Sequence, residues 1–111
     1  MNGSKISVSI VEDEDEIREL LEKIFDRSPG FSCKHVFKDC ESAIEVIKTT
    51  KPDVVLMDIQ LPGITGIEGV KILKGFLPET DFIMLTIRDE EEMIFQSLCA
   101  GATGYLLKET P

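Results

Sequence analysis

The chain is expected to fold as an α/β domain, a doubly wound parallel sheet with helices on both faces. Three features predict this. Short apolar, strand-like runs alternate with stretches of helical periodicity. The 111 residues, 42% of them hydrophobic, suffice for one core and one domain. Acidic, hydroxyl and basic residues stand where the apolar runs end, and ligands of open α/β sheets bind outside the carboxyl ends of the strands.

Each element has its own signal. Ile6–Val11 reads as the first strand and runs into Glu12-Asp13. Ile17, Leu20, Leu21, Ile24 and Phe25 repeat at helical spacing, so residues 14–27 form the first helix, ended by Ser28-Pro29-Gly30. Residues 31–36 form a short second strand. Asp39 is placed to cap a second helix carrying Ala43, Ile44 and Ile47. Residues 53–57 are apolar after Asp53 and read as a central strand, buried on both faces, that delivers Asp58. Pro62-Gly63 opens a loop, and Ile67, Val70 and Leu73 mark a third helix that Gly66, Gly69 and Gly75 weaken. Pro78 breaks the chain before residues 82–85, which run into Thr86. Met93, Ile94, Ser97 and Leu98 mark a fourth helix, stopped by Gly101. Residues 105–107 form a fifth strand, opened by Tyr105 and leading into Lys108.

Bulk composition excludes several classes of function. Charged residues make up 30%, and no apolar run approaches the roughly 20 residues a membrane helix needs. Met1-Asn2-Gly3-Ser4-Lys5 lacks the apolar core of a secretory signal. A net charge of −9 repels the phosphate backbone, so no nucleic acid is expected on this segment; with no membrane-length apolar run, no membrane partner is expected either. Three cysteines without a CxxC spacing argue against a disulfide framework and for a reducing, cytoplasmic setting. Cys33 and Cys99 read as small core residues. The lone His35 lacks neighbours at metal-ligand spacing and is expected to be structural or exposed.

Four stretches carry the chemistry: Ile10-Val11-Glu12-Asp13; Val55 to Gly66, containing Asp58-Ile59-Gln60-Leu61-Pro62-Gly63; Met84-Leu85-Thr86; and Ala100 to Lys108, containing Gly104-Tyr105-Leu106-Leu107-Lys108. In this order and spacing they resemble a two-component response-regulator receiver domain, over nearly all of residues 5–111. The resemblance implies a flavodoxin-like (βα)5 arrangement with strand order 2-1-3-4-5. It also implies a fifth helix, whose start Thr110-Pro111 resembles, as an N-cap followed by proline. Residues 1–111 are therefore expected to be one receiver domain cut before its last helix, with no second domain. Apolar surface left uncovered there would favour self-association or lower stability. The Gly104-to-Pro111 ending is similar to receivers attached to LuxR/NarL-type DNA-binding domains.

The same resemblance assigns roles. Asp58 is the phospho-acceptor; carboxylates can act as nucleophiles toward phosphoryl groups. Asp13, Asp58 and the Gln60 backbone carbonyl are the expected Mg²⁺ ligands, with Glu12 acting through water; an oxygen-only donor set suits this ion. Lys108 pairs with Asp58 before reaction and with phosphoryl oxygens after it. The Thr86 hydroxyl meets the phosphate, and Thr86 with Tyr105 forms the switch. Ile87, bulky where many members carry a small residue, narrows access to Asp58. Gln60 and Arg88 tune the lifetime of the phosphoryl group, and Glu109 stands where many members have proline. The expected partners are a histidine kinase or phosphotransfer protein, with a possible homodimer on phosphorylation. The domain would catalyse only its own phosphorylation and dephosphorylation.

Three other readings compete. A haloacid-dehalogenase-type phosphatase needs Asp-x-Asp, which Asp58-Ile59-Gln60 lacks. A flavodoxin-like cofactor binder needs a hydroxyl- or glycine-rich phosphate loop after the first strand, where residues 12–16 are all acidic. An interaction module could keep the fold without accepting phosphate.

Overall fold

The computed structural model of the chain describes residues 5–87 and 91–108. Thr110-Pro111, Arg88 and Glu109 lie outside the described residues. The elements alternate: β1 (Ile6–Val11), α1 (Asp15–Arg27), β2 (Phe31–Phe37), α2 (Cys40–Thr50), β3 (Val54–Asp58), α3 (Gly66–Phe76), β4 (Asp81–Thr86), α4 (Glu91–Ala100) and β5 (Gly104–Leu107). The five strands form one parallel sheet in the order β2-β1-β3-β4-β5, the flavodoxin-like arrangement.

The pleat divides the core. Val8, Ile10, Leu56 and Leu85 point to one face, where Leu21 and Phe25 of α1 cover them. Val11, Val55, Met57, Phe82 and Met84 point to the other, against Ala43 and Ile47 of α2 and Val70 and Leu73 of α3. β3, central in the order, carries buried residues on both faces. Leu20, Ile24, Leu106 and Leu107 remain exposed beside the α1 face.

Local chemistry sets the element ends. Asp39 caps α2 by accepting from the Ser42 N–H at 2.8 Å, and that bond holds its carboxyl below the usual range. Thr65 and Glu68 form a reciprocal capping box at the start of α3. β3 begins one residue later than the sequence suggests, because Asp53 turns its carboxylate to the Ser7 N–H and hydroxyl at 2.8 and 3.1 Å. β3 therefore ends on Asp58 itself.

The reading of Cys99 as a core residue is corrected, and so is that of the α3 glycines. Cys99 is exposed on α4, whereas Cys33, half-buried on the edge strand β2, packs against the core on the α1 face. Cys40 is the buried thiol: it opens α2 against Met57, and burial pushes its pKa up to about 12. Gly66 and Gly69 are not merely tolerated in α3. A Cβ at residue 66 would lie 1.9 Å from the Asp58 carbonyl oxygen, and one at residue 69 would lie 2.6 Å from the Cys40 sulfur. Their lack of a side chain lets the start of α3 close onto the strand that carries Asp58.

Candidate functional site

The carboxyl ends of β1, β3 and β4 and the residue after β5 meet at one rim of the sheet. A cleft of about 220 Å³ opens there, lined by Asp13, Glu14, Asp58, Ile59, Gln60, Thr86, Ile87 and Lys108. Parallel pairing accounts for the convergence: Asp58 stands beside Leu85, and Thr86 beside Leu107, one residue from each neighbouring functional group. The Lys108 N–H donates to the Thr86 carbonyl at 2.6 Å, which ties the lysine backbone to the end of β4.

Asp58 is more enclosed than its position at a strand end suggests. Only 4% of its surface is accessible. Its Oδ1 accepts from the Gln60 N–H at 3.2 Å, folding the following loop over it, and its Oδ2 faces Lys108 Nζ at 3.4 Å. Glu12 is fully buried. Its Oε1 accepts from Lys108 Nζ at 3.1 Å and its Oε2 from the Glu14 N–H at 3.0 Å. Glu14 adds a third carboxylate 3.6 Å from the ammonium. Lys108 is thus a nearly enclosed cation among acids, with an 8% exposed side chain.

These contacts set the electrostatics. Burial raises the Asp58 carboxyl, the negative charge of Glu12 raises it further, and Lys108 pulls it partly back; the result is about 7. Burial disfavours the Lys108 charge. Its hydrogen bond to Glu12 and the charges of Asp58 and Glu12 outweigh that and hold its pKa above the ordinary value.

Glu12, Asp13 and Asp58 each offer one oxygen, and these oxygens lie within 4.8 Å of one another. Hard oxygen donors at this separation fit a small divalent cation such as Mg²⁺. Asp13 is exposed and can turn toward an ion, whereas Glu12 is already committed to Lys108. Gln60 is exposed at the cleft, and Thr86 is buried at its floor.

Tyr105 is not part of this cluster. It stands beside Met84 in the sheet, is 39% exposed, and lines a shallow groove with Ile94, Phe95 and Leu98 of α4. Ile87 is exposed at the edge of the cleft, beside the route to Asp58. One buried charged neighbour escapes the sequence reading: Arg18 of α1 donates to the Glu12 carbonyl at 2.9 Å. Its signal is a lone cation three residues after Asp15 in an otherwise acidic first turn.

Comparison with known proteins agrees with this fold. A family profile described as response regulator receiver domain matches residues 8–111. The transcriptional regulatory protein YxjL of Bacillus subtilis (strain 168), itself named as uncharacterized, is 39% identical over 110 residues, covering 99% of this chain and 50% of that protein. The transcriptional regulatory protein DegU of Brevibacillus brevis is 36% identical over 109 residues, covering 98% and 46%. The chain spans about half the length of these curated relatives. A two-component response regulator of the LuxR family from Aurantimonas sp. SI85-9A1 superimposes with a TM-score of 0.89 at 27% identity, covering 96% of this chain and 76% of that one. A chain of the CheX-CheY-BeF3-Mg²⁺ complex from Borrelia burgdorferi superimposes with a TM-score of 0.89 at 27% identity, covering 98% and 82%.

Proposed function

We propose a function from one premise: the chain belongs to the response regulator receiver domain family. It is the phosphorylation switch of a transcriptional response regulator. The observation that carries this reading is the pairing of Asp58 with Lys108 at 3.4 Å inside a cluster of carboxylate oxygens within 4.8 Å of one another. Such a site suits charge neutralisation around a phosphoryl group better than packing.

A histidine kinase or phosphotransfer protein presents a phosphohistidine at the cleft. An Asp58 carboxylate oxygen attacks the phosphorus in line. The new O–P bond forms as the N–P bond breaks, and the imidazole leaves and takes up a proton. Asp13, Asp58 and the Gln60 carbonyl would hold Mg²⁺, with Glu12 acting through water. When bound, that ion supplies positive charge that keeps the carboxylates ionised and offsets the charge of the transferred group. Lys108 exchanges its contact with Asp58 for phosphoryl oxygens, and Thr86 donates its hydroxyl to another. Hydrolysis of the acyl phosphate by water returns Asp58 and inorganic phosphate.

The output is a shift of Thr86, Tyr105 and the α4–β5 face toward an active arrangement, with homodimerisation as one consequence. The names of the relatives support transcription regulation through a DNA-binding part outside this chain. No helix among the described residues is long and apolar enough to cross a membrane, and the free cysteines suit a cytoplasmic setting. The domain turns over no metabolite.

The test is intact mass after treatment with acetyl phosphate and Mg²⁺, beside Asp58→Ala. The proposal expects a single phosphoryl adduct that requires Mg²⁺ and is absent from the variant. A folded protein that takes no adduct would make it an interaction module.

A further inference from the structure

Arg18 is a charged residue that the fold keeps 8% exposed, directly behind the acidic loop. Its guanidinium is divided between two acceptors. One nitrogen donates to the Glu12 carbonyl at 2.9 Å, and the other donates to the Asp15 carboxylate. The Arg18 N–H also donates to the Glu14 carbonyl at 2.9 Å. The loop is also held by the Glu12 N–H, which donates to the Phe37 carbonyl at 2.9 Å, by the Glu14 N–H on Glu12 Oε2, and by Lys108 Nζ, which donates to Glu12 Oε1 at 3.1 Å.

The planar fork of an arginine fixes two acceptors at a set separation, which the single ammonium of a lysine cannot do. Here the two acceptors bracket Asp13, one on each side in the chain. The fork therefore ties the Glu12 backbone to Asp15 across residues 13 and 14, while Lys108 and the Glu14 N–H hold the Glu12 carboxylate itself. It also directs its charge to Asp15, away from the oxygens that face Asp58.

We propose that Arg18 is a positioning residue for the divalent cation: its fork holds the Glu12–Asp15 loop so that the Glu12 and Asp13 carboxylates converge with Asp58. The inference rests on the reading of those three acids as a cation site. It predicts an effect with a distinctive sign. Removing a positive charge near a cation site tightens cation binding by Coulomb's law alone. Loss of positioning weakens it.

The experiment is calorimetric titration of the whole chain with Mg²⁺ alone, for wild type, Arg18→Lys, Arg18→Met and Asp13→Asn, each checked for fold by circular dichroism. Groups that orient metal ligands are commonly worth 10–100-fold in affinity, so both Arg18 variants are expected to raise the Mg²⁺ Kd about tenfold. The phosphorylation rate from acetyl phosphate, measured at saturating Mg²⁺, is expected to stay near wild type. Arg18→Met keeps the apolar stem and provides a folded variant should Arg18→Lys strain the site. An unchanged or lower Kd in a folded Arg18 variant, with only a lower Tm, would overturn the proposal and leave Arg18 as a helix staple. An unchanged Kd in Asp13→Asn would instead remove the cation site itself, and the proposal with it.

Discussion

As the proposed phospho-acceptor, Asp58 carries two demands that conflict. A nucleophilic carboxylate must be ionised, yet burial and Glu12 raise its pKa to about 7. A carboxyl whose pKa is higher folded than unfolded adds stability that is complete below the unfolded value of 3.8 and disappears as pH rises through about 7. In chelator, the protein is therefore expected to lose stability between those limits. Asp58→Asn removes the ionisable group and should flatten that slope, leaving the variant more stable at pH 8 by on the order of a few kcal/mol. Chemical denaturation at several pH values checks this; a wild type that gains stability over the same range would contradict it. The candidacy of Glu12, Asp13, Asp58, Thr86 and Lys108 for the proposed site is legible from their place at the ends of apolar runs. Their burial is not. It depends on the Gln60 N–H folding back on Asp58 and on Lys108 reaching Glu12 across 96 residues. Cys40 was equally hidden, because its burial comes from the approach of Gly69 rather than from its own neighbours in sequence.

At the scale of elements, helix α3 shows how packing reverses a propensity argument. Glycine weakens an isolated helix, yet Gly66 lets the first turn sit on the Asp58 carbonyl. Gly66→Ala should therefore destabilise by about 1–3 kcal/mol despite its better helix propensity, because overpacking forces a backbone shift. It should also slow phosphorylation of Asp58, since the shifted backbone is that of the proposed acceptor. A variant with raised Tm and unaltered labelling would contradict this. The order and type of all nine described elements follow from periodicity and punctuation. Their ends do not: β3 moves by one residue because Asp53 bonds to Ser7, 46 residues away. The outward position of Tyr105 also depends on α4, whose apolar residues Phe95 and Leu98 form the groove beside it.

The whole molecule combines a net charge of −9 with acids gathered at one rim. A divalent cation that binds only the folded chain should stabilise it, by about 2.7 kcal/mol at one hundred times its Kd. Thermal unfolding with Mg²⁺ and then with excess chelator measures this; the gain should vanish in Asp13→Asn, and a gain that survives there would place the ion elsewhere. The parallel sheet and its two-faced core are readable from alternation, but the strand order came from family resemblance, because neither spacing nor composition states which strands adjoin. The most direct measurement is to map the acceptor: phosphorylate with acetyl phosphate and Mg²⁺, reduce the acyl phosphate with borohydride, and locate the resulting homoserine by tandem mass spectrometry. Homoserine at residue 58, and only after Mg²⁺ treatment, is the expected result. Homoserine at residue 13, or none in a folded sample, would contradict the central claim that Asp58 receives the phosphoryl group.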